Sequence, residues 1–257
     1  VPTSGNSFTL KTILRDEWKY DGFVVSDWAS ITEMIAHGFA ENEKEAAFKA
    51  VTAGVDMEMA SESYVKHLAE LIEEGKISED LINNHVANIL RVKFKLGLFV
   101  RPYTDEKLAE QVTLTDENLQ LAREAAREGM VLLKNEGVLP LSKNAKVALM
   151  GPLADAPRDQ LGTWVFDGKE ENSVTPYTAI KEILGNSLTF EVGLEYSRDN
   201  SRARFAAALA AARKSDVVVF VAGEEASLSG EANARGQIDL PGIQTELIAE
   251  LAKTGKP

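Results

Sequence analysis

The sequence predicts an α/β fold in two successive halves, each built round its own parallel sheet. Three observations carry this. Residues 1–96 run strand, helix, strand, helix, and residues 146–257 repeat the alternation. The apolar strands are of the buried type and are joined by helical stretches, which argues parallel pairing and not hairpins.

Each element has its own reason. In "SFTLKTILRDEWK" (7–19), Phe8, Leu10, Ile13, Leu14 and Trp18 recur at helical spacing. After Asp21-Gly22 comes the strand "FVVS" (23–26). An Ala- and Glu-rich helix near 41–53 runs into Gly54, and a second short strand, "VDMEM" (55–59), follows. Helices are expected at 63–74 and 78–96, the latter opened by Ser78, a good N-cap residue. Residues 97–114 hold Gly and Pro without periodicity and read as a connector. A long helix over 115–135 carries acids in its first turn and bases later, as the helix dipole favours. The remainder alternates strands at 146–151, 188–193 and 216–223 with helices near 176–184, 201–214 and 242–253; a polar, Gly-rich loop fills 223–241. The expected divisions are 1–96, a linker and connecting helix over 97–145, and 146–257. Two βα units are too few to close a barrel or cover their own edges, and no strand follows the last helix. The expectation is a piece of a longer chain.

Composition narrows the function classes. Of 257 residues, 44% are hydrophobic and 26% charged, the mix of a globular protein. The net charge of −12 and the lack of a basic block argue against nucleic acid and anionic membrane as partners, but leave a neutral ligand untouched. The absence of cysteine removes disulfides, thiolate catalysis and cysteine metal sites, and leaves the compartment open. No apolar run approaches the ~20 residues of a membrane helix, and no signal peptide opens the chain. His37, His67 and His85 are scattered and read as ordinary helix residues; no metal or cofactor is expected.

Two acidic positions stand out. In "DGFVVSDWAS" (21–30), Asp27 ends an apolar strand, the end at which α/β folds build sites. Burying an unpaired carboxylate is costly, so it needs a partner or a task. A cap for the next helix is the plain alternative. Trp28 beside it suits stacking on a sugar ring. The second cluster, "GEEASLSGEANARG" (223–236), offers Glu224, Glu225 and Glu231 as proton donors, although an acidic protein's surface loops contain glutamates anyway. Glycoside hydrolysis by the retaining route uses two carboxylates, one nucleophilic and ionised, the other a proton donor. Acids on loops of two different domains would meet that requirement.

The stretch "GFVVSDW" (22–28) resembles the nucleophile motif of glycoside hydrolase family 3, the β-glucosidase family. The likeness continues through "AVTAGVDMEM" (50–59), "VANILRVKFKLGLF" (86–99), "AREAAREGMVLLKNEGVLPL" (122–141), "KVALMGPLAD" (146–155), "DQLGTWVFDG" (159–168) and "SDVVVFVAGE" (215–224), spanning essentially the whole chain. The resemblance implies the C-terminal part of a (β/α)8-type barrel followed by a partial αβα sandwich domain. It implies a retaining, exo-acting β-glycosidase, most similar to bacterial, often periplasmic, β-glucosidases. A β-xylosidase of the same family or a non-catalytic sugar-binding module is the alternative. The nucleophile falls on Asp27, with Trp28 walling the adjacent subsite and Trp164 matching a tryptophan that lines an outer subsite in some members. The acid/base falls on Glu231 or, in the "GEG" variant of the loop, on Glu224; "GEE" here favours Glu231. The His–Asp pair of the N-acetylglucosaminidase branch has no counterpart, and neither strand end offers the Schiff-base lysine of an aldolase. The resemblance also implies that most of the barrel, with the residues gripping the sugar hydroxyls, belongs to the remainder of the parent polypeptide. This chain alone is accordingly expected to be inactive.

Overall fold

A computed structural model describes all 257 residues, which form two compact units, Val1–Gly129 and Met130–Pro257. Both are α/β with parallel sheets, as the alternation predicts.

The first unit opens with a helical segment, Phe8–Glu17, at the predicted place but wound as a π-helix. Trp18 N–H accordingly reaches back five residues to Ile13 O (3.0 Å). Strand β1 (Val25–Trp28) leads into a helix the sequence did not signal, α1 (Ser30–Ala36). Helix α2 (Glu43–Ala53), strand β2 (Met57–Met59), α3 (Ser63–Glu73) and α4 (Glu79–Lys95) follow as expected. Asn42 caps α2 by accepting the Glu45 N–H (3.0 Å), and Ser78 caps α4 by accepting the Leu81 N–H (3.2 Å).

Alanine decides how α2 packs. Ala46, Ala50 and Ala53 face a core with Leu10, Ile31 and Met34, while Ala47 and Val51 face a second core with Leu71 and Ile77. A helix buried on two sides needs short side chains to let both neighbours approach. β1 and β2 pair in parallel, Val25 with Met57 and Trp28 with Met59, with an irregular register between.

Two expectations are not met within these residues. Of the four residues of β1 Ser26 alone is buried here, since this chain supplies two strands of the sheet. The long helix also stops early. The connector contains a short α5 (Leu108–Val112), and α6 runs Asp116–Gly129, so Met130–Leu133 lie outside it. Gly129 is a poor helix former, and the apolar run beyond it carries none of the polar alternation that an exposed helix needs.

The second unit is built on β3 (Val147–Met150), all four residues of which are buried. After α7 (Pro157–Leu161) and α8 (Pro176–Leu184), β4 (Leu188–Phe190) pairs along one edge of β3. After α9 (Phe205–Lys214), β5 (Val217–Phe220) pairs along the other, giving the order β4-β3-β5. Side chains of β3 alternate as a pleat requires. Ala148 and Met150 join a core with Ala208 and Ala212 of α9 and with Leu247 and Leu251 of α10 (Gln244–Ala252). Val147 and Leu149 join another with Ile180 and Leu184 of α8. Gly151 ends β3 at φ +107, where a Cβ would lie 2.4 Å from Val221 O. Only glycine lets the chain leaving β3 pass so close to the chain leaving β5.

Candidate active site

Asp27 is the last residue but one of β1, and its Oδ1 accepts the Trp28 N–H (2.7 Å). It does not cap α1, whose cap residue is Ala29 and which has no side-chain capping bond. Asp27 and Trp28 are both exposed, the indole 72% so. The buried Ser26 holds the strand end: its Oγ accepts the Met59 N–H (2.9 Å) and donates to Asp27 O (2.9 Å), while Ala29 N–H donates to Met59 O (2.9 Å).

The residue after each strand is strained. Ala29 and Ala60 take φ of 54° and 53°, left-handed values that cost a non-glycine residue roughly 1 kcal/mol or more. Both lie where parallel strands end, the edge at which α/β folds place their chemistry. A cleft of about 330 Å³ opens there, lined among others by Leu10, Val24, Ser26, Asp27, Glu33 and His37. Glu58 of β2 organises the neighbouring turn, accepting from Tyr64 N–H (2.8 Å), Ser63 N–H (3.1 Å) and Ser61 Oγ (2.9 Å) at the start of α3.

Behind β1 lies a buried polar hub that the sequence reading missed. The Asp56 carboxylate, 1% exposed, accepts from Val24 N–H (2.6 Å), Arg15 Nη2 (2.8 Å) and Asn88 Nδ2 (2.9 Å), and meets His85 Nδ1 (2.7 Å). Burial acts to raise the Asp56 carboxyl, but the bonds from His85, Asn88 and Val24 outweigh it and hold the group below the ordinary aspartate range. His85 also reaches Val51 O (3.0 Å), and Arg15 donates to Tyr20 O (2.9 Å) and Gly22 O (2.6 Å). His85 sits in α4, as a helix histidine should, but it has a partner. The rule that singled out Asp27, that an acid beside an apolar run needs a partner, would have found Asp56 in "AGVDMEM".

In the second unit the three loop glutamates separate clearly. Glu224 forms an ion pair with Arg235, and Arg235 also donates to Asp239 O (3.0 Å). Glu225 pairs with Arg198 and accepts from Ser197 Oγ (2.9 Å) and Ser227 Oγ (2.8 Å). Burial raises the Glu225 carboxyl, yet Arg198 and the two hydroxyls more than offset it and keep the group below the ordinary glutamate range. Glu231 is exposed, and its carboxylate has no hydrogen-bond or ion-pair partner.

A second missed residue anchors this loop. Gln244, fully buried on α10, points Nε2 at Ser197 O (2.8 Å), Gly223 O (2.8 Å) and Pro241 O (3.1 Å), and its Oε1 accepts the Gly223 N–H (3.0 Å). One amide therefore joins both ends of the loop. A glutamine on the apolar face of a helix was the available signal. Trp164, 63% exposed, belongs to a segment that touches the same loop through Asp159 and Thr163. The structure thus gathers Trp164, Glu224, Glu225 and Glu231 in one unit, with Asp27 and Trp28 in the other. No group of three or more His, Cys, Asp or Glu is arranged to hold a metal ion, and no helix is long and apolar enough to cross a membrane.

Residues 1–92 match the Glycosyl hydrolase family 3 N terminal domain, and residues 130–257 match the Glycosyl hydrolase family 3 C-terminal domain. Over its full length the chain is 37% identical to a periplasmic beta-glucosidase of Salmonella typhimurium and 34% identical to a beta-xylosidase of Formosa agariphila. It covers 37% and 38% of those proteins. A crystal structure of beta-glucosidase from Listeria innocua in complex with glucose superposes with a TM-score of 0.91 at 38% identity, over 99% of this chain and 35% of that one. The chain therefore spans little more than a third of the length of these relatives.

Proposed function

Because the chain belongs to glycoside hydrolase family 3, we propose that it contributes to a retaining, exo-acting β-glycosidase, most simply a β-glucosidase acting on gluco-oligosaccharides. The first unit is then part of a (β/α)8-type barrel and the second part of an αβα sandwich. The observation that carries the reading is Asp27, set at the C-terminal end of a parallel strand and lining a cleft.

In this reading an Asp27 oxygen bonds to the anomeric carbon while the bond to the leaving oxygen breaks, and Glu231 gives that oxygen its proton. The Glu231 carboxylate then takes a proton from water, whose oxygen displaces Asp27 and releases the sugar with its configuration retained. Glu231 is favoured over its neighbours because Glu224 and Glu225 are engaged by arginines. Trp28 and Trp164 offer exposed indole faces for the sugar rings. Periplasmic or secreted placement is supported by the Salmonella relative.

The test is made in the full-length protein. Asp27→Ala should abolish aryl β-glucosidase activity, and survival within about tenfold would remove the assignment. Glu231→Gln should lower kcat/KM, which reports the bond-breaking step, about a hundredfold or more on substrates with poor leaving groups and little on activated aryl glycosides. On the latter kcat falls instead, because release of the sugar loses its base. The β-xylosidase relative motivates a second reading, which a higher kcat/KM on aryl β-xyloside than on aryl β-glucoside would establish.

A further inference from the structure

We propose that Thr163 is a positioning residue that couples the exposed Trp164 to the loop carrying Glu231, so that a sugar held on the indole also sets the proton donor. The inference rests on the role proposed above for Glu231. Thr163 Oγ1 lies 2.5 Å from Ala226 O and 2.8 Å from Ser229 O, and 3.1 Å from Ser229 Oγ. A hydroxyl has one proton to give and two lone pairs, so Thr163 donates to one carbonyl at a time and can accept from Ser229. Its side chain also lies against Gly230: a Cβ there would sit 2.5 Å from Thr163 Cγ2, and Gly230 takes φ +107. Glycine at 230 is what admits the threonine, and the next residue is Glu231.

One turn earlier, Asp159 Oδ1 accepts the Ala226 N–H (2.7 Å). The segment 159–163 therefore grips 226–230 at both ends, and Trp164 is the residue that follows it. A saccharide stacked on Trp164 would act on Glu231 through one side chain and two peptide groups. Substrates with a sugar as leaving group should feel this link. Activated aryl glycosides need neither the proton nor the outer ring in the bond-breaking step that kcat/KM reports, and should not feel it there.

The experiment compares Thr163→Val, which keeps the shape and loses the hydroxyl, with Thr163→Ser, which keeps the hydroxyl, in the full-length enzyme. Thr163→Val is expected to lower kcat/KM on a β-linked disaccharide about tenfold and to change kcat/KM on a dinitrophenyl glycoside by less than about twofold. Thr163→Ser should recover most of the loss. In a Glu231→Gln background Thr163→Val should add nothing, because the two act as one unit. Equal losses on both substrates, no loss on the disaccharide, or an additive effect in that background would each overturn the proposal. If Glu231→Gln itself lacks leaving-group selectivity, the donor assignment fails and this coupling falls with it. If Glu231→Gln is selective and Thr163→Val is not, the coupling alone fails.

Discussion

The two candidate carboxylates are held in opposite ways. Asp27 belongs to a strand whose start is bonded to a buried charge hub and whose end is locked by Ser26 to the neighbouring strand. Glu231 belongs to a loop that hangs from surface ion pairs, a turn gripped by Thr163 and one buried amide. A nucleophile must meet one atom from one direction, so a rigid strand suits it. A proton donor must serve leaving groups of differing shape and exchange its proton with water, so a tethered loop suits it.

The largest effect that would sharpen this contrast is on stability in the first unit. Asp56→Ala should lower it by about 3 kcal/mol, because Arg15 loses its counter-charge and the polar groups of His85, Asn88 and Val24 lose their partner in a buried setting. Denaturant unfolding followed by tryptophan fluorescence measures it, and a change under about 1 kcal/mol would mean that the hub does not hold β1. Next comes Gln244→Ala, expected to cost about 2 kcal/mol by stranding peptide groups of Gly223, Ser197 and Pro241. Limited proteolysis should then cut within 223–241 first; cleavage elsewhere at the same rate would break the contrast. Smaller again is Glu224→Gln, which should leave kcat/KM on every substrate within about threefold of the parent if the proposed donor is Glu231, since the Glu224 carboxylate is engaged by Arg235. A loss confined to poor leaving groups would move the donor role to Glu224.

The smallest effect is a pH dependence. The folded Asp56 carboxyl titrates below its ordinary value of 3.8, so its stabilising contribution is complete above that pH. It is lost as pH falls through the folded value. Acid unfolding of the first unit should therefore steepen below about pH 4, and Asp56→Asn should remove that component. An unchanged acid midpoint in the variant would show that other carboxylates set it.

Most of the element order was legible because periodicity and capping are local. Ser78 announces its helix and caps it through its side-chain oxygen, as Asn42 and Thr175 cap theirs. What was illegible depends on partners far along the chain. Nothing near residue 25 says that β2 (Met57–Met59) is the strand that β1 pairs with in this chain. The 115–135 helix ends early because the backbone stops being helical at Gly129, although the apolar residues 130–133 and Lys134 suit a last helical turn by composition. In the site, Asp27 was visible as an acid ending an apolar run. The "GEE" form of the loop favours Glu231 over Glu224, but the pairing of Glu224 and Glu225 with Arg235 and Arg198, 11 and 27 residues away, was not legible. Gln244 bonds across 47 residues to Ser197, a distance no local pattern reports.

Gln244 has a further consequence for how this architecture can change. It clips the first residue of the 223–241 loop to the last, so the span between is an appendage closed at its base. Lengthening a loop whose ends are already fixed costs only about 0.6 kcal/mol per doubling. Residues can therefore be inserted or exchanged between Arg235 and Pro241, beyond the part of the loop bonded to Arg198, Asp159 and Thr163, without disturbing β5 or α10. That stretch is in effect an interchangeable part, and new specificity can be grafted there while the sheet beneath stays as it is.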